Sequence, residues 1–193
     1  MAHTLNDDEM ALVSNPSVIF TKTKIINSVY HLFGDLSEIY KQDFTFSAIE
    51  NNLSSTPKIA KGENYLGLPW VNLDYPRVFN KEGVFAIRTF FWWGNFFSIT
   101  LHLSGKHKQN LNNQIKASIT NGLLSGWYIN SSNEQWEHHF EPDNYQLLTV
   151  EDIDRLLQSD FIKLAKKIPL KQWDESVDFF SNSFKNIILA LGL

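Results

Sequence analysis

The stretch from Val84 to Ser104 constrains the fold most, because it reads as two β-strands joined by a tight turn. It is rich in aromatic and β-branched residues, which favour strands, and it contains the dipeptide Gly94-Asn95. A two-residue loop that begins with glycine is typical of a type II′ turn. The sequence therefore predicts an antiparallel hairpin in which Trp93 lies opposite Phe96.

This register assigns the hairpin side chains to two faces, since successive residues of a strand point to opposite sides of the sheet. The predicted core face is apolar except for one arginine and contains Val84, Ala86, Arg88, Phe90, Trp92, Phe97, Ile99, Leu101 and Leu103. The other face is half polar and contains Phe85, Ile87, Thr89, Phe91, Trp93, Phe96, Ser98, Thr100, His102 and Ser104. Leaving Phe91, Trp93 and Phe96 in water would forgo roughly 2–3 kcal/mol each, so we expect something to cover them.

The rest of the chain predicts strands and helices around this hairpin. Apolar spacing and capping residues predict helices at 16–42, from Gly105 to Asn121, at 149–158 and 159–167, and from Trp173 to Leu191, with a short helical turn at 47–53. A loop is expected at 54–64, an edge strand with two prolines at 65–79, and a second hairpin from strands 124–130 and 134–141. The predicted fold is α+β, with an antiparallel sheet of about five strands built on the aromatic hairpin 84–104. A long N-terminal helix and two or three C-terminal helices are expected to pack on this sheet.

Composition limits the broad class of the protein. The 193 residues predict a single domain over 1–193, with 1–14 frayed or loosely docked. Having no cysteine excludes disulfides and thiolate chemistry, and no apolar run approaches the length of a membrane span. The first residues lack the features of a signal peptide, which indicates a cytoplasmic protein. A net charge of −4 and a hairpin with one arginine and no lysine argue against nucleic acid as a partner.

Sequence motifs for chemistry are few. Phosphate-binding glycine loops, the His-Glu-x-x-His zinc helix, the Gly-x-Ser-x-Gly elbow and the calcium loop are all absent from the sequence. We therefore expect no cofactor and lean against an enzyme, although enzymes without such motifs exist. The remaining metal candidates are His102, Glu137, His139 and Glu141, which would meet if the two hairpins were neighbours. A solvated strand face with paired charges is the preferred interpretation of Glu137, His139 and Glu141.

Arg88 is the one charged residue on the predicted core face. An internal ion pair or a guanidinium extended to the edge of the sheet is the preferred interpretation, with stacking on Trp92 or binding of an anionic ligand as the alternatives. A second set could form a ligand rim near the sheet edge or belong to an ordinary buried edge strand: Tyr65, Trp70, Asp74, Tyr75 and Arg77.

The aromatic surface of the hairpin has three interpretations: a covered core, a homodimer interface, or a pocket for a small apolar or aromatic ligand. The leading functional hypothesis is a binding or assembly protein that self-associates through this surface. The alternative is a small-molecule-binding protein or enzyme with a pocket between sheet and helices, where Arg88, His102 and His139 supply the polar groups. The ligand or interface candidates are Trp93, Phe91, Phe96, Thr89, Thr100, His102 and Arg88.

Two runs also resemble a known group of sequences. They are Glu63-Asn-Tyr-Leu-Gly-Leu-Pro-Trp-Val-Asn-Leu-Asp-Tyr-Pro-Arg77 and Ala86-Ile-Arg-Thr-Phe-Phe-Trp-Trp-Gly-Asn-Phe-Phe-Ser-Ile-Thr-Leu-His102. This part of the chain, about residues 60–105, resembles uncharacterised hypothetical proteins of Bacteroidetes-type bacteria. No activity is attached to that family, so the resemblance implies no functional residue.

Overall fold

A computed structural model describes residues 4–44 and 56–193 of the chain. Within this described part there are five α-helices: α1 (Asp7–Val13), α2 (Pro16–Asp43), α3 (Gly105–Thr120), α4 (Ile153–Gln158) and α5 (Ser176–Leu191). The strands are β1 (Lys58–Tyr65), β2 (Leu68–Asn80), β3 (Gly83–Trp92), β4 (Phe96–Ser104), β5 (Tyr128–Asn130), β6 (Tyr145–Leu147) and β7 (Phe161–Pro169). They form one antiparallel sheet in the order β1-β2-β3-β4-β7-β5-β6, which confirms the predicted α+β class.

The central hairpin exists, but its turn has three residues, so the predicted register is wrong. Trp92 pairs with Phe96, and Trp93, Gly94 and Asn95 form the turn, in which Gly94 has a φ of 73°. The Asn95 amide donates to the Trp92 carbonyl at 3.1 Å. Because side chains alternate, this shift of one residue moves all of β3 to the opposite face relative to β4.

The sheet consequently has a helix face and an open face that differ from the predicted ones. The helix face carries Phe85, Ile87, Thr89 and Phe91 of β3 with Phe97, Ile99, Leu101 and Leu103 of β4, all buried. The open face carries Ala86, Arg88, Phe90 and Trp92 with Phe96, Ser98, Thr100 and His102. Helices α2, α3 and α5 pack on the helix face, so the main core lies there.

Helix α2 begins where the sequence predicts and packs through one stripe. The Asn15 side chain accepts from the Ser17 amide at 3.1 Å, and Pro16 occupies the first helical position. Its buried residues recur every three or four positions and are Ile26, Val29, Phe33, Leu36, Ser37 and Tyr40. The Tyr40 ring stacks on Phe184 of α5 at 4.0 Å, and the Tyr40 and Thr89 hydroxyls are 2.9 Å apart.

Strand β1 occupies most of the segment that was expected to be a loop, so β2 is an inner strand and its prediction as an edge strand is wrong. An inner strand tolerates proline poorly because proline has no amide hydrogen for the ladder. Here Pro76 lies in a register shift between Asp74 and Arg77, where the ladder is already interrupted. The predicted turn at 47–53 lies outside the described residues.

The C-terminal half agrees with the sequence in some elements and differs in others. Helix α3, the capping box at Thr149 and the final helix are confirmed. The segment predicted as helix 159–167 is instead strand β7, which pairs with β4 along its whole length. The predicted strand 134–141 is a loop, and β5 pairs with β6 beyond it. Pairing with distant strands has overridden the local preferences on which both predictions depended.

Candidate functional site

One side of the open face is covered by residues 131–144, which we call the crossing loop. Its Trp136 ring packs against His102 at 5.3 Å between ring centroids, and its Phe140 ring packs against Phe96 at 5.1 Å. These contacts cover the part of the open face formed by β4 and β7. The part formed by β1, β2 and β3 remains accessible as a cleft of about 540 Å³.

The cleft combines charged, polar and aromatic side chains. Its base is formed by paired residues of β2 and β3, since Asn72 lies opposite Phe90 and Asp74 lies opposite Arg88. The remaining lining residues are Lys58, Ala60, Asn64, Tyr65, Trp70, Arg77, Phe79, Trp136 and His138. Alternation along β1 explains why Lys58 and Ala60 reach the cleft, whereas Lys61 lies over the Tyr30 ring of α2 on the other face.

Arg88 is held by partners on two elements. Its Nε and Nη2 donate to the two carboxylate oxygens of Asp74 at 2.7 and 2.8 Å, which is a bidentate ion pair. The Asp74 side chain is 7% exposed and that of Arg88 is 22% exposed. A third nitrogen, Nη1, lies 3.1 Å from Nε2 of His138 in the crossing loop. The preferred sequence interpretation of Arg88 as an ion-paired residue therefore matches its contacts.

His138 is a neutral hydrogen-bond acceptor in this arrangement. Its ring packs against Phe90 at 4.9 Å, and burial together with the nearby Arg88 and Lys163 charges holds its pKa well below the usual value. A guanidinium donates hydrogen bonds only, so Nε2 of His138 accepts and the ring proton lies on Nδ1. His138 thus fixes the guanidinium of Arg88 without adding charge to the cleft.

Two further titratable groups lie beneath the crossing loop, where His102 and Lys163 pair across β4 and β7. Burial and the Lys163 and Arg88 charges lower the pKa of His102 to about 4. Burial also lowers the pKa of Lys163 to about 8, although nearby glutamates oppose this shift. The Lys163 Nζ donates to the Glu137 carbonyl at 2.6 Å and to Asn144 Oδ1 at 3.3 Å, which anchors the crossing loop to the sheet.

Tyr65, at the end of β1, also holds the crossing loop. Its hydroxyl donates to Glu137 Oε2 at 2.8 Å and accepts from the amides of His138 and His139 at 2.7 and 3.0 Å. Burial is the main cause that raises the pKa of Tyr65 to about 12. Tyr65 and Lys163 together position Trp136 and His138 at the cleft.

Asn72 is the unusual group at the base. The residue is 4% exposed, and its Oδ1 accepts no hydrogen bond from the described residues. Leaving a buried amide oxygen unpaired costs about 1–3 kcal/mol, so such atoms normally have a partner. Asn72 therefore marks a position where a donor from outside the chain would be stabilised.

Comparison with known proteins assigns no function to the chain. No family model, curated protein or solved structure matches the chain. Within residues 4–44 and 56–193, no helix has both the length and the apolarity needed to cross a membrane. Function therefore has to be inferred from the chemistry of the side chains described above.

The predicted site residues are distributed over both faces, because the register of the hairpin differs from the expected one. Arg88 lines the cleft, whereas Phe96, Thr100 and His102 lie on the part of the open face formed by β4 and β7. Thr89 and Phe91 are buried on the helix face, and Trp93 is half-buried at the turn. Arg88 and His102, which were expected to line a pocket between sheet and helices, thus lie on the opposite side of the sheet.

Most residues of the predicted ligand rim lie together in the structure. Tyr65, Trp70, Asp74 and Arg77 all line the cleft, while Tyr75 is buried on the helix face. Sequence reasoning missed Asn72, Lys58, Trp136 and His138, and it assigned Phe90 to the core. Alternation from Trp70 to Asp74 would have identified Asn72, whereas Trp136 and His138 depend on the path of the crossing loop.

The metal candidates do not assemble into a site. His139 lies 3.7 Å from Glu137 and 3.8 Å from Asp143, all within the crossing loop. His102 instead contacts Trp136 and Phe161. Among the residues that the structure describes, no three histidine, aspartate or glutamate side chains are grouped so that they could hold a metal ion.

Proposed function

We propose that the protein binds a small molecule with a flat ring and an anionic group in the cleft. The observation that carries this proposal is the buried Oδ1 of Asn72, which has no partner among the described residues at the base of an accessible cavity. The cavity of about 540 Å³ is within the range of ligand sites. A hydroxyl or N–H group of the ligand would donate to Asn72.

The aromatic residues of the cleft support a ring in the ligand. Trp70 and Phe90 lie 6.1 Å apart with their planes 28° from parallel, and Tyr65 meets the edge of Phe90 at 5.9 Å. Trp136, on the crossing loop, is 47% exposed. Stacking on such side chains contributes about 0.5–1.5 kcal/mol per ring pair beyond the burial of apolar area.

The charges of the cleft support an anionic group. Three cationic side chains line it, Lys58, Arg77 and Arg88, against one carboxylate, Asp74. His138 adds no charge because its pKa is held low. The exposed Lys58 at the rim would attract a carboxylate or phosphate of the ligand.

This proposal is better supported than self-association through the aromatic sheet surface. Phe91 and Phe96 are 2% and 9% exposed, so the chain itself covers most of that surface. Phe91 packs against Trp173 and Phe97 on the helix face, whereas Phe96 packs against Phe140 on the open face. Little area of Phe91 and Phe96 therefore remains for a second copy.

Binding can be tested with 6-hydroxynaphthalene-2-carboxylate, whose hydroxyl can donate to Asn72, and with its neutral carboxamide. Tryptophan fluorescence and calorimetry are the readouts. We expect the carboxylate to bind about tenfold more tightly, and Trp70→Ala and Asn72→Leu to weaken both probes. Lys58→Gln should weaken the carboxylate alone, and Lys61→Gln is the matched control on the other face of β1. Absence of binding by both probes, or equal effects of the two lysine variants, would contradict the proposal.

A further inference from the structure

Residues 4–20, which we call the N-terminal arm, expose apolar side chains that no other described residue covers. No residue of α1 is buried. Seven large apolar side chains of the arm are between 39% and 71% exposed: Leu5, Met10, Leu12, Val13, Val18, Ile19 and Phe20. A contiguous exposed apolar patch of several hundred Å² is uncommon on monomers and marks an interaction site.

Helix α2 extends past the body of the protein at this end. Its 28 residues span about 42 Å, and none of the first ten, from Pro16 to Ile25, is buried. The stripe that packs on the sheet recurs every seven residues through Tyr40, Phe33 and Ile26, which are 0%, 0% and 6% exposed. The next position of the same stripe, Ile19, is 60% exposed. The packing face of α2 therefore continues beyond the core, where no other residue of ranges 4–44 and 56–193 packs on it.

An apolar groove lies where this extension begins. Its volume is about 400 Å³, and it is lined by Ile25, Ser28, Phe91, Trp93, Gly94, Leu170 and Trp173. Ile25 and Ser28 follow Phe20 by only five and eight residues, so the groove and the arm are neighbours along α2. Trp93 and Trp173 are half-buried at its walls.

We propose that two copies of this chain form a dimer in which the arm of each covers the groove of the other. The two α2 helices would run antiparallel around a two-fold axis, so that Phe20 of one copy enters the groove beside Ile25 and Trp93 of the second. Two-fold symmetry repeats each contact, and one arm and one groove per chain are therefore sufficient to close the assembly. This assembly is independent of the ligand cleft, which lies on the opposite face of the sheet.

Charge favours a second copy over a membrane surface. The arm contains Asp7, Asp8 and Glu9 and no lysine or arginine, whereas helices that bind membrane surfaces are rich in basic residues. An arm of this charge is repelled by an anionic lipid surface, whereas the apolar groove of a second copy has no charged lining residue.

The available area also suits a dimer. If each exposed apolar residue of the arm contributes on the order of 100 Å², the arm offers about 700 Å², close to the ~800 Å² per partner of a standard interface. The groove on the same helix adds to this area. Interfaces of this size have dissociation constants from micromolar to picomolar.

Sedimentation equilibrium of the full chain, from 1 to 200 µM, tests the proposal. We expect a dimer whose dissociation constant rises at least 100-fold in Phe20→Glu, while Leu189→Glu, which alters an equally exposed residue of α5, leaves it unchanged. Both residues are exposed, so circular dichroism should show unchanged folding. A monomeric wild-type chain, whether or not it sediments with anionic vesicles, or a dimer insensitive to Phe20→Glu, would overturn the proposal.

Cysteine cross-linking locates the contact, since the chain contains no cysteine. We expect a mixture of Phe20→Cys and Ser28→Cys chains to form a disulfide-linked heterodimer under mild oxidation. Phe20→Cys mixed with Leu189→Cys is the control and should give little of the corresponding product. Equal cross-linking of the two mixtures would overturn the arm-in-groove arrangement even if the chain is dimeric.

Discussion

Asp74 and Arg88 lie directly opposite each other on β2 and β3, and their side chains meet through two hydrogen bonds. The pair forms part of the base of the cleft, and its guanidinium contacts His138 of the crossing loop. Its carboxylate is nearly inaccessible, whereas the guanidinium keeps some contact with solvent. Removing one partner alone should therefore be more harmful than removing both.

We expect Arg88→Met to lower the free energy of unfolding by about 3 kcal/mol, because it leaves the buried Asp74 carboxylate unpaired. The double variant Asp74→Leu/Arg88→Met should recover most of this loss. Lys106→Met is the control, since its pair with Glu82 is exposed and contributes less than about 1 kcal/mol. Urea denaturation measures all of these values, and additive effects of the two cleft substitutions would contradict the coupling.

Tyr65→Phe should loosen the crossing loop without unfolding the protein. The substitution removes the hydroxyl that accepts from the His138 and His139 amides and donates to Glu137, at a cost of about 1–3 kcal/mol. Hydrogen exchange at these two amides should accelerate at least tenfold. Tyr30→Phe, on α2, is the control, and unchanged protection of the loop amides in Tyr65→Phe would show that the loop is held elsewhere.

Stability should fall as the pH drops below about 6.5. The pKa of His102 in the folded protein is about 4, so between these values the unfolded chain binds a proton that the folded chain does not. The free energy of unfolding should decrease by up to about 1.4 kcal/mol per pH unit, and the lowered pKa of His138 acts in the same direction. Denaturation at pH 7.5, 6 and 5 measures the slope. His102→Gln should flatten it and His31→Gln, on an exposed part of α2, should not; equal slopes would exclude His102 as the cause.

Two glycines should respond to alanine in opposite ways. Gly83 has a φ of 136°, and a Cβ there would lie 2.2 Å from the Ser104 carbonyl oxygen, so Gly83→Ala should cost at least about 1–3 kcal/mol. Gly34 lies within α2, and nothing is within 4 Å of the position of its Cβ. Gly34→Ala should stabilise the protein by about 0.5–1 kcal/mol. Thermal denaturation distinguishes these signs, and a loss in both variants would contradict the packing described for α2.

The sequence was most informative where local signals and packing agree. Asn15-Pro16 and the helical spacing of apolar residues from Ile25 to Tyr40 predicted a long helix, and the structure contains it. The hairpin was also predictable, but the number of turn residues was not, because Trp93 can either extend the strand or enter the turn. That single difference places Arg88 and Phe90 on the open face and Phe91 on the helix face, opposite to the predicted assignment.

The remaining errors arise from contacts between distant residues. Phe161 to Pro169 carries three lysines at spacings compatible with a helix, and only its pairing with β4 makes it a strand. The cleft depends on the strand register and on distant contacts. The register places Asp74 opposite Arg88, and His138 contacts Arg88 from a loop 50 residues further along the chain. Tyr65, Trp70, Asp74 and Arg77 were grouped in advance because they are close in sequence, at the end of β1 and along the paired strand β2.

The division of the sheet into a helix face and an open face has a consequence for redesign. Neighbouring residues of β2 and β3 serve separate purposes: Val71, Leu73, Ile87 and Phe91 pack under the helices, whereas Asn72, Asp74, Arg88 and Phe90 line the cleft. A library that varies Asn72 and Phe90 but keeps the Asp74–Arg88 pair would change the lining of the cleft, while the first set keeps the scaffold folded. Alternate positions of two adjacent strands thus make the chain a starting point for engineered receptors.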